Sequence, residues 1–198
     1  SGLIGHFASA VSGGNLYRKS SFLLDSIGQQ VFSPDIQILE LPHLHKGLAS
    51  SAFDDDGVAT VERKVVENGI VQGYFLSSYS ARKLGLRSTG NAGGTHNLIM
   101  QNAAPMDFDA LLKKMGTGLL VTELMGHGIN AVTGDYSRGA SGFWVENGAI
   151  SYAVEEITIA GNLKDMFQGI LATGNDIVVR GSKQCGSILI DRMTIAGG

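Results

Sequence analysis

The fold of this chain is decided by Phe143-Trp-Val-Glu-Asn-Gly-Ala-Ile-Ser-Tyr152, which places Asn147-Gly148 between two segments rich in β-branched and aromatic residues. Asn-Gly tolerates the two left-handed conformations of a type I′ turn, so this stretch predicts a β-hairpin. The same pattern recurs in Val65–Phe75, where Asn68-Gly69 stands between apolar flanks. Two such hairpins predict an antiparallel sheet.

The rest of the chain is rich in turns, with 28 glycines and three prolines among 198 residues, against a usual glycine share of about 7%. Apolar patterns predict strands at Ile36–Leu41, Gly118–Leu124, Glu155–Ile159, Ile177–Val179 and Ser187–Ile190. Helices are predicted at Gly2–Val11, with Gly13-Gly14 as a stop, and at Ser80–Leu86, Asp107–Met115 and Asn162–Ala172. The expected fold class is α+β: a mainly antiparallel β-sheet, flat or rolled toward a barrel, with a few packed helices.

Composition excludes several classes of function. Hydrophobic residues make up 43% of the chain and charged residues 17%, enough for a sizeable core. The net charge of −3 provides no basic field for nucleic acid, and no apolar run approaches the roughly 18 residues that span a membrane. Since the single cysteine cannot form an internal disulfide, we expect a reducing, cytoplasmic location.

None of the histidines forms the paired motif of a metallopeptidase helix, in which two His side chains flank a general base. His43 and His45 have strand-like spacing but follow a proline, which favours a surface loop, and His96 follows two glycines in a polar loop. Glu123 and His127 stand four residues apart, but without a third ligand we expect a hydrogen-bonded loop residue there.

Two further features could carry chemistry. Asp54-Asp-Asp-Gly57 resembles the opening of a calcium loop, but no Glu stands at the twelfth position, so a solvated acidic turn is expected. Cys185 lies between Gln184 and Gly186, in a predicted turn before the last strand. A lone cysteine is usually a small buried hydrophobe, although a ligand or a nucleophile could equally occupy this position.

Several long segments resemble the TldD/PmbA family, whose members were once labelled modulators of DNA gyrase. The resemblance is carried, in order along the chain, by Ser78–Leu86, Met115–Met125, Thr133–Gly148 and Glu156–Met166. It covers essentially all of residues 1–198 and matches the C-terminal domain of the family. We therefore expect one domain here, with the N-terminal α/β domain of the family absent from this chain.

The resemblance also implies where a metal site would lie. In the metallated subunits, a His-Glu-x-x-x-His helix and a later Cys hold the metal, and the helix precedes a basic run like Tyr17-Arg-Lys19. Setting these runs level puts the first ligand at Gly5, the catalytic acid at His6 and the second ligand at Ala10, while only Cys185 retains its counterpart. Glycine and alanine offer no donor, and His6 cannot replace a carboxylate base. We expect no catalytic residue and no metal in this chain.

The expected function is that of a non-metallated subunit in a TldD/PmbA-type metalloprotease complex. It would form a peptide channel with a TldD-like, zinc-containing partner and act on unfolded peptide in proteolysis and peptide maturation; the family is associated with microcin maturation and antitoxin degradation. A homodimer of the isolated chain stays open. Two alternatives remain: a self-sufficient peptidase with an atypical site at Cys185, His6 or His127, and a regulatory binding protein related to gyrase or an antitoxin.

Overall fold

The computed structural model describes residues 1–197, which form five helices and eleven strands. The helices are α1 (Gly2–Ala10), α2 (Gly13–Tyr17), α3 (Ser78–Leu84), α4 (Phe108–Met115) and α5 (Leu163–Gln168). The strands are β1 (Ile36–Leu41), β2 (Arg63–Glu67), β3 (Ile70–Val71), β4 (Asn97–Asn102), β5 (Gly118–Met125), β6 (Asp135–Glu146), β7 (Ala149–Asn162), β8 (Ile170–Thr173), β9 (Lys183–Gln184), β10 (Ile188–Ile190) and β11 (Thr194–Ala196).

Both Asn-Gly hairpins are present. β6 and β7 pair antiparallel around Asn147 and Gly148, whose φ angles of 51° and 74° are those of a type I′ turn. β2 and β3 pair in the same way around Asn68 and Gly69, at φ 50° and 76°. The turn chemistry predicted from these two dipeptides is confirmed.

The strands form three sheets. The first has the order β3-β2-β1-β4-β9, the second β10-β8 and the third β11-β7-β6-β5. Neighbours are antiparallel except β4 and β9, which run parallel. The α+β class with mainly antiparallel strands is confirmed, and within residues 1–197 no sheet closes into a barrel.

One core joins α1 to the first sheet and to α5. Ile4, Phe7 and Val11 are each 0% exposed, and their spacing is that of one apolar helix face. The ring of Phe7 packs edge-on against Phe32 at 5.0 Å between centroids, and Phe32 stacks on Phe167 at 4.5 Å. Burial of this face determines which side of α1 is left for other contacts.

Three local predictions are wrong. The helix predicted to reach Ala172 ends at Gln168, because the following segment pairs as β8 with β10. Gly13 does not stop a helix but begins α2, since its N–H donates to the Phe75 carbonyl and the chain turns there. Ile177–Val179 forms no strand, and its side chains are 42–64% exposed, so its apolar composition does not reflect burial.

The helix over 108–115 follows its predicted ends. Asp107 accepts a hydrogen bond from the Ala110 N–H at 2.7 Å, and Gly116 follows the last turn at φ 69°. The longest helix of the described chain, α1, has nine residues, well short of the roughly 20 that a membrane-spanning helix needs.

Candidate functional site

An open cleft of about 900 Å³ lies between the start of α1, the segment 176–187 and the middle of β5. Its size lies within the range of roughly 300–1,000 Å³ found for ligand sites. Polar and charged groups line much of it, and Thr122 is the contribution of β5. We therefore take this cleft as the candidate site.

Three of the four positions singled out by the family motif reach the cleft. Since the face of α1 with Ile4 and Phe7 packs into the core, Gly5 and His6 are left on the side that lines the cavity. Cys185 arrives from the segment after β9, and its Sγ lies 3.1 Å from the backbone nitrogen of Ser1. The fold thus brings α1 and the segment after β9 together at this point.

The fourth position lies elsewhere. Ala10 is 4% exposed and belongs to the apolar core, and its carbonyl accepts a hydrogen bond from the Ser21 hydroxyl at 2.6 Å. Five residues of α-helix turn a side chain by about 140° relative to the first. In this helix positions 5 and 10 therefore face different surroundings.

The residues present do not fit the zinc ion that the family implies. Position 5 is a glycine and position 10 an alanine, and neither side chain has a donor atom. His6, Cys185 and Asp176 line the cleft, yet within residues 1–197 no three His, Cys, Asp or Glu side chains come together as a metal-binding group. No step of any reaction is therefore assigned to a metal held by this chain.

His6 is held in its neutral form. Burial lowers the pKa of the imidazole from its ordinary 6.5, and the nearby Arg138 guanidinium lowers it further. The ring packs edge-on near Tyr136, with 6.1 Å between centroids. Burial also raises the pKa of Tyr136, an effect that Arg138 partly opposes. Of these two rings, His6 lines the cleft, while Tyr136 is buried behind it.

A hydrogen-bonded clasp holds the segment that presents Cys185. The two carboxylate oxygens of Asp176 accept from the Ser187 N–H at 2.8 Å and from its hydroxyl at 2.6 Å. Burial by itself would raise the pKa of Asp176, but the bonds from Ser187 outweigh it and the pKa is lowered. The clasp closes residues 176–187 into a loop. It keeps the Asp176 carboxylate ionised, with both oxygens hydrogen-bonded to Ser187.

Arg180 and Lys183 are the cationic side chains of the cleft lining, and sequence reasoning did not single them out. Neither has a carboxylate within 4.0 Å in the part of the chain that is described. A β-carbon placed on Gly5 would stand 3.9 Å from the Cδ of Lys183. The only sequence signal for these two residues was their position just before Cys185.

The other predicted candidates lie outside the cleft. His43 and His45 are exposed in a loop, as expected, and His43 contacts the Thr60 hydroxyl at 3.0 Å. His96 is 8% exposed, and its ring nitrogens lie 3.2 Å and 2.9 Å from two backbone carbonyls. Glu123 and His127 are both exposed and do not line the cavity.

The acidic turn is more than a solvated turn, because Asp54 is 5% exposed. Its carboxylate accepts from the N–H groups of Asp56, Val58 and Ala92, each at 2.9 Å. Burial alone would raise the pKa of Asp54, but these three bonds and the charge of His96 lower it below its ordinary value. Asp54 therefore acts as a structural anchor between two loops.

This domain belongs to the class of metallopeptidase C-terminal domains. The family model described as "PmbA/TldA metallopeptidase C-terminal domain" matches residues 1–197. The chain belongs to the PmbA/TldD family. The resemblance found in the sequence is thereby confirmed.

Individual relatives agree with this assignment. The metalloprotease PmbA of Escherichia coli O157:H7 is 58% identical over 196 residues, which are 99% of this chain and 43% of that protein. A Thermotoga maritima structure described as a modulator of a DNA gyrase has a TM-score of 0.90 at 38% identity, over 98% of this chain and 46% of that one. TldE of Thermococcus kodakarensis shares the fold, with a TM-score of 0.84 at 24% identity, over 98% of this chain and 48% of that one. The chain thus spans less than half the length of these relatives.

Proposed function

We propose that this chain is the non-metallated part of a TldD/PmbA-type metalloprotease complex, and that it shapes a peptide channel with a zinc-containing, TldD-like partner. The observation that carries the proposal is the composition of the cleft. The cleft lies beside α1 and Cys185, where the family resemblance implies a metal, but Gly5 in its lining supplies no donor atom and Ala10 lies in the core. Hydrolysis would then take place on the partner, and this chain would hold the peptide.

The edge of the third sheet supports a role in holding extended peptide. β5 is the last strand in the order β11-β7-β6-β5, so among residues 1–197 no strand pairs with the other side of its backbone. An extended peptide can add to such an edge through main-chain hydrogen bonds, with little dependence on sequence. Because Thr122 of β5 also lines the cleft, a peptide on this edge would run past the cavity.

The test is cleavage of an unstructured peptide by this chain alone, by the TldD-like partner alone and by both together. We expect cleavage to require the partner and to be abolished when the partner's metal ligands are replaced. We further expect that Cys185→Ala in this chain leaves the rate of the complex within about twofold. Cleavage by the isolated chain at a rate close to that of the complex would refute the proposal.

A self-sufficient peptidase is the second candidate, and it is favoured by the shared lining of one cleft by His6 and Cys185. A neutral imidazole near a thiol is the arrangement that a cysteine nucleophile requires. Cleavage by the purified chain that is lost in both Cys185→Ala and His6→Gln, with the fold intact, would support this candidate and displace the first.

A further inference from the structure

The charges in the cleft are unbalanced. Arg180 and Lys183 are cationic, and the carboxylate of Asp176 is the acidic group of the lining. That carboxylate already accepts two hydrogen bonds from Ser187, and in residues 1–197 no carboxylate oxygen lies within 4.0 Å of either cation. The cleft therefore presents two cationic donors that the described chain itself does not neutralise.

The position of Lys183 directs this charge toward the cavity. Lys183 lies on β9, whose partner β4 covers one side, and its side chain is half-buried beside Gly5. The Cδ of Lys183 lies 3.9 Å from the point where a β-carbon of residue 5 would stand, so the stem of Lys183 runs alongside the start of α1. Arg180, three residues earlier, is exposed and lines the same cavity.

We infer that Arg180 and Lys183 form an anchor for the C-terminal carboxylate of a peptide bound in the cleft. The inference rests on the proposed function, because it assumes that the cleft receives peptide. Arginine and lysine pair with carboxylates through charge-assisted hydrogen bonds, which are about twice as strong as neutral ones. The ligand class is thus a peptide with a free C-terminus.

The C-terminal carboxylate is favoured over an acidic side chain by the neighbouring sheet edge. A peptide added to β5 is recognised through its main chain, which every peptide has. The terminal carboxylate is likewise independent of sequence, whereas an acidic side chain is not. Two cations would also repel the amino end of a peptide, which sets the direction in which it lies.

The test measures the dissociation constant between the full chain and an unstructured peptide by fluorescence anisotropy. The peptide is labelled at its N-terminus and has no charged side chain. Three forms are compared: a free C-terminus, a C-terminal amide, and a C-terminal amide with one internal Glu. We expect the free acid to bind about tenfold more tightly than the amide, the effect of one charge-assisted hydrogen bond. The preference should weaken as salt is raised, because this side of the cleft is open to solvent.

The variants Lys183→Gln and Arg180→Gln should each remove most of this preference, while the exposed Lys164→Gln, of matched charge change, should retain it. Arg180 is exposed, so its variant tests the anchor even if Lys183→Gln perturbs β9. Three results would each overturn the inference. The free acid and the amide could bind equally tightly, the internal-Glu amide could bind as tightly as the free acid, or none of the three peptides could bind. Cleavage of the amide by the complex is measured separately, so that a failed anchor is distinguished from a failed subunit role.

Discussion

The Cδ of Lys183 lies 3.9 Å from the point where a β-carbon of Gly5 would stand, so a cationic side chain lies beside the residue where the family resemblance implies a first metal ligand. This relationship affects metal binding in two ways. Glycine offers no donor, and Lys183, which lines the same cleft, carries a positive charge that disfavours a divalent cation. The cleft is thus unsuited to a metal on both chemical and electrostatic grounds.

The first prediction follows for metal removal and addition. A ligand that binds the folded state raises its melting temperature. Since we expect this chain to bind no zinc, neither added zinc nor a chelator should shift its melting temperature. Differential scanning fluorimetry and elemental analysis of the purified chain check this. The TldD-like partner, measured in parallel, serves as the positive control. Zinc retained in a one-to-one ratio after gel filtration would contradict the prediction.

The second prediction concerns a buried ion pair. Glu40 has a side chain 1% exposed, and it accepts from Arg63 Nε at 2.8 Å, from Asn91 Nδ2 at 2.7 Å and from the His96 N–H at 3.0 Å. Glu40→Ala leaves these buried donors without their acceptor, so we expect the free energy of unfolding to fall by about 3–5 kcal/mol. Urea denaturation measures it.

The matched control for Glu40 is Glu67, whose carboxylate pairs with Lys64 on the surface, where the two side chains are 41% and 46% exposed. Exposed pairs contribute about 0–1 kcal/mol. Glu67→Ala should therefore change the unfolding free energy by less than about 1 kcal/mol. Similar losses in the two variants would show that the buried network has no special role in stability.

The third prediction concerns acid stability. The pKa of Asp54 is lower in the folded chain than its ordinary 3.8, mainly because three N–H groups bond the carboxylate against the cost of burial. A carboxylate with a lowered pKa in the folded chain contributes its full stabilisation above the unfolded pKa of 3.8. This stabilisation is lost as the pH falls through the folded pKa. Asp54→Asn should therefore lower stability at pH 7 by about 1–3 kcal/mol and flatten the acid limb.

Urea denaturation over a pH series tests this expectation, with the exposed Asp35→Asn as the control. The Asp54 variant and the native chain should converge in stability below pH 3.8, whereas the Asp35 variant should follow the native chain throughout. A constant difference between Asp54→Asn and the native chain at every pH would assign the loss to packing instead of ionisation.

The fourth prediction tests the hairpin that decides the fold. Gly148 has φ 74°, and a β-carbon there would stand 2.8 Å from the Cα of Lys113. Gly148→Ala should therefore cost the left-handed penalty of about 1–2 kcal/mol and, in addition, force α4 away from the turn. Gly28→Ala, at φ 78° with nothing within 4 Å, should cost only the conformational part. Equal melting temperatures for the two variants would contradict a packing role for the turn.

Much of the local structure could be predicted, because its causes are local. Asn147-Gly148 forms its turn wherever the flanking strands can pair. Asp107 caps the start of α4 and Gly116 its end, each through hydrogen bonds with the helix backbone. The errors occurred where a distant partner decides. Ile177–Val179 has the composition of a strand but pairs with no strand in residues 1–197, and the segment after Gln168 forms β8 because β10 pairs with it.

The sequence by itself determined the two Asn-Gly hairpins, both ends of α4, the family and the absence of donor atoms at positions 5 and 10. Only the tertiary structure decided that Gly5, His6 and Cys185 share a cleft, that Ala10 lies in the core, and that Arg180 and Lys183 provide the charge of the site. The physical reason is the distance along the chain over which the deciding interactions act. Backbone conformation follows from neighbouring residues, whereas the meeting of residues 5 and 183 depends on how α1 and β9 pack on the same core.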